Sequence, residues 1–236
     1  MKICRSLSVF FLLLLIPICA FSDKRSYVWT DEYLIMEPGK AEIEHYFTLS
    51  APKFNEIKGK ASVEHKLEVE VGMTKHFDFS IYQKFVQQPE QNLQYTGFDL
   101  RACFLIGKKN QFPLDPLIYI EYGSDATLSS HKLETKLILA KDIGRLNIAF
   151  NPIIEIEYED EAEFAFEYAF GTRYLISELF GAGLELKGDK KAHYIGIVLS
   201  HGKENLWVAA SPTFMFSKNL NNKPEFLFRM ILGLGL

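Results

Sequence analysis

The segment 161–176 constrains the fold more than any other part of the chain, because its two alternating sets of side chains differ sharply. One set is apolar and largely aromatic, and it includes Phe164 and Phe166. The other set is charged or small, and it includes Glu163 and Glu167. Successive side chains of a β-strand point to opposite faces, so the pattern predicts a strand with one apolar and one polar face. At about 3.3 Å per residue this strand would be about 50 Å long, against roughly 17–20 Å for an ordinary globular strand.

The same two-residue period recurs along the chain, with turn-forming residues between the periodic segments. Long strands that are apolar on one side and polar on the other are typical of transmembrane β-barrels, whose strand number is even in bacterial single-chain examples. We therefore predict an all-β fold, a single up-and-down antiparallel transmembrane β-barrel of about 12 strands, with roughly 10–14 possible. The predicted strands are 40–50, 60–72, 76–87, 94–107, 116–123, 131–141, 145–158, 161–176, 179–188, 192–201, 205–216 and 224–236.

The N-terminus has the three parts of a secretory signal peptide. Lys2 and Arg5 precede an apolar run over 9–16, and Ala20 and Ser22 form a small-x-small cleavage site. The apolar run is well short of the roughly 20 residues that span a membrane, and no later segment approaches that length. The predicted organisation is a signal peptide over 1–22, an N-terminal periplasmic segment over 23–37 and a barrel over 38–236 in the outer membrane.

Cleavage of the signal peptide would also change the charge and the cysteine content. The mature chain would keep 24 of the 26 basic residues, against 30 acidic residues, which gives no electrostatic reason to bind nucleic acid. Cys4 and Cys19 would leave with the signal peptide. Cys103 would then remain alone, which excludes an intramolecular disulfide and a cysteine metal site. A lipoprotein signal at Cys19 is disfavoured, because Ile18 stands where a small residue is expected.

The polar face of the predicted strands is the candidate functional surface. A twelve-strand barrel is wider than the eight-strand type whose side chains fill the interior. The charges could line a narrow aqueous channel, or they could pair and fill the lumen. We favour the channel, because acids outnumber bases and unpaired carboxylates need water; a preference for cations or neutral solutes would follow. The candidate lumen-lining residues are Glu64, Lys66, Glu68, Asp99, Arg101, Glu134, Lys136, Glu155, Glu157, Glu163, Glu167, Arg173 and Arg229.

Glycine residues cluster on the inward side of the strands in the C-terminal half. Glycine within a strand marks a bend, or room for a large group opposite. We favour barrel curvature, with Tyr194 or Trp207 leaning over the glycines, above an eccentric pore along these strands. The residues concerned are Gly171, Gly181, Gly183, Gly196, Gly233 and Gly235.

The histidines argue against an enzyme. His45, His65 and His193 share the apolar parity of their strands, which predicts that they face outward. His131 and His201 each follow a serine, but adjacent residues of a strand point in opposite directions and cannot form a nucleophile–base pair. No metal-ligand spacing and no phosphate-binding loop is present, so no cofactor and no catalytic residue is expected.

The last strand carries hydrophobic alternation to Leu236, which resembles the C-terminal insertion signal of Gram-negative outer-membrane proteins. Sequence similarity is also seen in the strand start Gly39–Glu44 and in the hairpins Val71–Ser80 and Lys141–Asn147. With these features the chain resembles the MetA-type (phenol-degradation) group of outer-membrane proteins. The resemblance implies a β-barrel, passive passage of small molecules, and as partners outer-membrane lipid, the barrel-assembly machinery and small solutes.

Three functions stay open at this level. The favoured one is a narrow outer-membrane channel for passive passage of small solutes. The first alternative is a filled structural or adhesion barrel without conductance. The second is a soluble exported β-sandwich or lipid-binding protein, which is disfavoured because a sandwich rarely needs so many long strands.

Overall fold

The computed structural model describes residues 24–159, 161–203, 205–218 and 223–236, so the predicted signal peptide over 1–22 lies outside the described residues. Within these ranges no helix is both long and apolar enough to cross a membrane. The regular structure consists of strands β1 (Ala41–Ala51), β2 (Ser62–Thr74), β3 (Phe77–Gln87), β4 (Gln94–Leu105), β5 (Asp115–Asp125), β6 (His131–Ile143), β7 (Leu146–Tyr158), β8 (Ala162–Leu175), β9 (Phe180–Gly188), β10 (His193–Lys203), β11 (Leu206–Met215) and β12 (Phe226–Gly235).

The twelve strands form one closed antiparallel barrel, in which each strand pairs with its neighbours along the chain. The barrel closes where β1 pairs with β12, from Glu42 opposite Gly235 to Ala51 opposite Phe226. All observed strand ends lie within two residues of the predicted ones. The predicted all-β barrel is confirmed, and the β-sandwich alternative is wrong because the sheet has no free edge.

Both ends of the described chain approach the same end of the barrel, where the Leu236 amide donates to the Ala41 carbonyl at 2.9 Å. We call this the terminal end, and the opposite one the distal end. The turns at the terminal end, such as the one between β2 and β3, are mostly shorter than the loops at the distal end, such as the one between β1 and β2.

The outer surface of the barrel is apolar. Leu67 and Val69 on β2 are 45% and 46% exposed, and Phe164 and Phe166 on β8 are 65% and 58% exposed. Side chains of this type lie in the core of a water-soluble protein. Their exposure on nearly every strand gives the continuous apolar band that a lipid-facing barrel wall requires.

Two of the predicted outward histidines form a pair on this outer surface. His45 and His65 lie on neighbouring strands with their rings stacked at 5.2 Å, and His45 Nε2 is 2.9 Å from His65 Nδ1. His193 also faces outward, with its Nδ1 3.1 Å from the Tyr168 hydroxyl. These contacts explain how polar rings are tolerated on an apolar wall, because each satisfies a hydrogen-bonding atom.

The inner surface is polar and densely packed, so the core of this molecule lies in the lumen. Glu42, Glu44, Glu68 and Asp99 are completely buried there, and Glu185 is 1% exposed. Buried carboxylates are tolerated only when cations or several hydrogen-bond donors surround them. The source of those partners defines the candidate site.

Candidate functional site

The residues that precede β1 lie inside the barrel. Pro38 bridges to Gly72 at the terminal end, and the Lys24 ammonium donates at 2.8 Å to the Leu179 carbonyl at the same end. Between these points the chain enters the lumen and returns, with Tyr27 and Met36 each 1% exposed. We call residues 24–37 the internal segment.

This arrangement corrects the periplasmic position expected for residues 23–37. The described part of that range fills the middle of the barrel instead of extending away from it. The physical reason is electrostatic and steric: the inner wall carries unneutralised acids and small residues, and the segment supplies cations and aromatic rings.

The tip of the internal segment is held by one carboxylate. Glu185 on β9 accepts the backbone N–H groups of Val28, Trp29 and Thr30 at 3.2, 2.8 and 2.9 Å. The Trp29 indole Nε1 also donates to Thr213 Oγ1 at 2.9 Å. The Glu185 carboxyl group therefore satisfies three backbone N–H groups and fixes the turn, while Thr213 orients the indole.

Arg25 neutralises an acidic cluster on β1 and β2. Its guanidinium lies 2.9 Å from Glu44, 3.8 Å from Glu68 and 3.6 Å from Glu70. Arg101 on β4 approaches the last two at 3.1 and 2.9 Å. Oxygen atoms of the three glutamates lie within 4.8 Å of one another, a spacing suited to a hard cation, but here two guanidinium groups supply the positive charge.

The other charges of the internal segment also have partners on the wall. Asp31 lies 3.0 Å from Lys136 and 3.3 Å from Arg25. Burial alone would raise the pKa of Asp31, but Lys136 and Arg25 outweigh it and hold that pKa below its usual range. Glu32 lies 3.5 Å from Arg173 on β8, and burial nevertheless raises the pKa of Glu32.

Inward glycines make room for aromatic rings. A Cβ atom at Gly171 would lie 2.7 Å from the ring of Tyr27, and one at Gly233 would lie 2.2 Å from the indole of Trp207. The expectation that Trp207 leans over a glycine is confirmed, whereas Tyr194 instead donates to a carbonyl of the β11–β12 loop at 2.9 Å. The rings occupy this side of the lumen, so the glycines do not outline an open eccentric pore.

Open space remains on both sides of the internal segment. The distal cavity has a volume of about 300 Å³, and the terminal cavity has about 140 Å³. A gap of about 30 Å³ lies beside the segment, against Arg101 and Cys103. The distal cavity is at the lower end of the size range of small-molecule pockets.

The thirteen candidate residues divide into four groups. The distal cavity is lined by Glu64, Lys66, Glu134, Lys136, Glu155, Glu167 and Arg229. The terminal cavity is lined by Arg173. Buried ion pairs hold Glu68 and Arg101 in one cluster, and Asp99 with Lys66 and Lys84 in another. The exposed pair Glu157 and Glu163 lies at the distal rim, opposite each other in the β7–β8 register.

The position of the internal segment was not predicted from the sequence, although one signal was present. The inward positions of β1 to β3 carry many more acids than bases, so a cation from elsewhere in the chain is required. Arg25 is that cation. The acids concerned are Glu42, Glu44, Glu64, Glu68, Glu70 and Asp78.

No protein-family model matches this chain, and no curated protein sequence matches it. Solved outer-membrane barrels do resemble its structure. An outer-membrane channel from Pseudomonas putida F1 is 10% identical to this chain. The superposed region spans 89% of this chain and 100% of the channel, with a TM-score of 0.63. The KdgM porin in complex with disordered oligogalacturonate is 12% identical, and the superposed region spans 82% of this chain and 97% of the porin, with a TM-score of 0.59. The NanC porin is 10% identical, and the superposed region spans 83% of this chain and 100% of the porin, with a TM-score of 0.56. At these identities the likeness shows the fold, and this chain therefore shares the porin-like outer-membrane barrel fold.

Proposed function

We propose that this protein is an outer-membrane channel for passive passage of small polar solutes, in which the internal segment narrows the path. The observation that carries the proposal is the contrast between the two surfaces of the barrel. An apolar outer band encloses a lumen with a charged cavity of about 300 Å³ at the distal end. A barrel that served only as a rigid anchor would have no need for such a cavity, whereas rings of charged side chains tune passage through pores.

The structural neighbours support the same proposal. Two of them are described as porins and a third as an outer-membrane channel, and one porin was solved with oligogalacturonate. Their likeness extends over the whole length of each neighbour. The solute of the present barrel is a separate question, because the lining residues of a lumen set selectivity and the identities are low.

The filled-barrel alternative rests on the internal segment, which occupies the middle of the lumen. Conductance separates the two functions. Purified, folded protein in a planar bilayer should give small, measurable ion currents, and a variant lacking residues 24–36 should give currents several-fold larger. Deletion of the exposed loop residues 54–58 serves as a control that should leave the current unchanged. If neither the folded full-length protein nor the folded 24–36 deletion variant gave a measurable ion current, the channel would be rejected and the structural barrel favoured.

The same proposal includes the location and the partners. The barrel would be inserted in the outer membrane by the assembly machinery after export, with lipid around its apolar band and small solutes in its lumen. It would act without a cofactor, without nucleic acid and without catalysis. Cell fractionation and heat-modifiable gel mobility test the location: recovery of the protein as a soluble periplasmic species would reject it.

The membership of the MetA-type group stays a proposal as well. It rests on the strand start at Gly39–Glu44 and on two hairpins, all of which are structural rather than functional features. Uptake of phenolic compounds by proteoliposomes, compared with uptake of sugars of similar size, would test whether the resemblance extends to the solute.

A further inference from the structure

Most charges around the distal cavity neutralise one another. Lys132 lies within 3.6 Å of Glu121, Glu134 and Glu155. Lys136 lies 3.0 Å from Glu134. Such pairs satisfy one another and leave little charge for a solute.

Three charged groups of the cavity differ from this pattern. Among the described residues, no carboxylate oxygen lies within 4.0 Å of the Lys187 ammonium, and no basic nitrogen lies that close to the Glu167 carboxylate. Arg229 has only a long contact of 3.9 Å with Glu64. All three line the distal cavity, so two cations and one anion face the same space without close partners of opposite charge.

Trp29 of the internal segment contacts both cations. The Lys187 ammonium lies 4.1 Å from the centre of the indole ring, and the Arg229 guanidinium carbon lies 3.8 Å from it. Cation–π contacts attract both groups but do not neutralise them, so the two like charges still repel each other. An anionic group of a solute would relieve that repulsion.

Glu167 is placed to receive the opposite end of such a solute. In the β8–β9 register Lys187 lies opposite Ala169, so Glu167 is the diagonal neighbour of Lys187 on the same inward face. Diagonal neighbours of this kind have Cα atoms about 7–8 Å apart. Glu167 and Lys187 are therefore near enough for one small solute to contact both side chains.

The order of charges along the lumen favours the same class of solute. Glu157 and Glu163 at the distal rim repel simple anions, and Lys187 and Arg229 deeper in the cavity repel simple cations. A zwitterion has no net charge, so it avoids the repulsion that a simple ion meets at one of the two levels, and it carries a group of the attractive sign for each.

We infer that the distal cavity binds a small zwitterion, with its carboxylate at Lys187 and Arg229 and its ammonium at Glu167. This inference rests on the proposed channel function, because it names the class of solute that the channel would carry. Binding itself is measurable without conductance, so the two ideas can fail separately.

Fluorescence provides the test, because the chain has two tryptophans and one of them, Trp29, contacts both cations. The folded full-length protein in detergent is titrated with 4-aminobutyrate, with butyrate and with butylamine, which share a carbon chain and differ in charge. We expect saturable quenching by 4-aminobutyrate, with butyrate and butylamine at least about tenfold weaker, a difference of about 1.4 kcal/mol. The signal should disappear in Trp29→Phe and persist in Trp207→Phe.

Variants locate the site. Lys187→Gln and Glu167→Gln should each weaken 4-aminobutyrate binding at least about tenfold. Lys58→Gln and Glu178→Gln, at exposed positions outside the lumen, should not change it. The binding of the three small molecules to the unsubstituted protein can be compared without any variant. This comparison tests the inference even where a substitution prevents folding.

Two results would overturn the inference: equal responses to butyrate and 4-aminobutyrate, or binding unaffected by both lumen substitutions. A barrel that conducts but does not bind 4-aminobutyrate would refute the inference and leave the channel intact. A barrel that binds it with the expected selectivity but never conducts would refute the channel and leave the binding site intact.

Discussion

Two walls of the same lumen hold the internal segment by different chemistry. The wall formed by β1 to β6 is ionic: Arg25 meets three glutamates there, and Asp31 meets Lys136. The wall formed by β8 to β12 adds ring packing to polar contacts: the Tyr27 ring lies over Gly171, while Arg173 pairs with Glu32 and Glu185 holds the tip.

Together the two walls position one short segment that has no regular secondary structure of its own. Ion pairs tolerate small displacements, because Coulomb attraction falls slowly with distance at low dielectric constant. Ring packing against glycine tolerates none, because a single added methyl group produces an overlap. The ionic wall therefore tolerates small displacements of the segment, whereas the ring contact with Gly171 sets its position.

The largest expected effect follows loss of charge on the ionic wall. Arg25→Gln leaves Arg101 as the close cation of Glu68 and Glu70 and removes the ion pair of the buried Glu44, and breaking a buried ion pair from one side costs about 3–5 kcal/mol. We expect the internal segment to leave the lumen more often, so trypsin should cleave after Lys24 in the folded barrel at least about tenfold faster. Arg145→Gln, on the exposed β6–β7 turn, is the matched control. Equal cleavage rates in the two variants would contradict the ionic role.

A smaller effect is expected at the tip of the internal segment. Glu185→Gln leaves one acceptor oxygen instead of two for three backbone N–H groups, and an unsatisfied buried donor costs about 1–3 kcal/mol. Amide hydrogen exchange at Val28–Thr30 should accelerate, while exchange in β1 stays unchanged. Glu178→Gln provides a control with the same chemical change on an exposed turn. Unaltered protection of the tip would show that the carboxylate does not hold it.

The ring contact with Gly171 is tested by filling its space. Gly171→Ala places a methyl group 2.7 Å from the Tyr27 ring, and overpacking of this kind costs about 1–3 kcal/mol. Trypsin cleavage after Lys24 should rise, though less than in Arg25→Gln. A second substitution, Tyr27→Leu, removes the overlap and should reduce the cleavage again. Failure of this rescue would indicate that Gly171 serves strand curvature instead.

The smallest effect on stability is expected at the distal rim. Replacement of Glu163 and Glu167 by lysine exchanges partly exposed carboxylates, so the barrel should keep its heat-modifiable mobility. The ion selectivity measured in bilayers should shift from cations toward anions, because rings of charge at a pore mouth set local ion concentrations. Unchanged selectivity in a conducting double variant would remove both residues from the path.

Much of the barrel was predictable because a strand pattern is local. The alternation of Phe164, Phe166 and their neighbours with Glu163 and Glu167 requires only that successive side chains alternate, and it holds wherever the strand is placed. The outward histidines followed from the same rule. The candidate lumen residues could be assigned to a face, but the sequence did not say which charges would pair.

The internal segment escaped prediction because it has no period. Its contacts join residues far apart in sequence, such as Val28 and Glu185, which are 157 positions apart, and Tyr27 and Asn147, which are 120 apart. The acid excess on the inner faces of β1 to β3 called for a cation, yet nothing local distinguished Arg25 from any other base. The inward glycines indicated space in the lumen, but they did not indicate which aromatic ring occupies it.

An even-stranded barrel with an apolar exterior follows from the amino-acid sequence, because two-residue periodicity and strand length are properties of each segment alone. The contents of the lumen depend on contacts that form only in the folded barrel. Closure of β1 onto β12 and the register of the strands bring acids from several strands together, and Arg25 from the chain before β1 pairs with three of them. The division of the lumen into two cavities, and the unpaired charges that face the distal one, exist only after that closure.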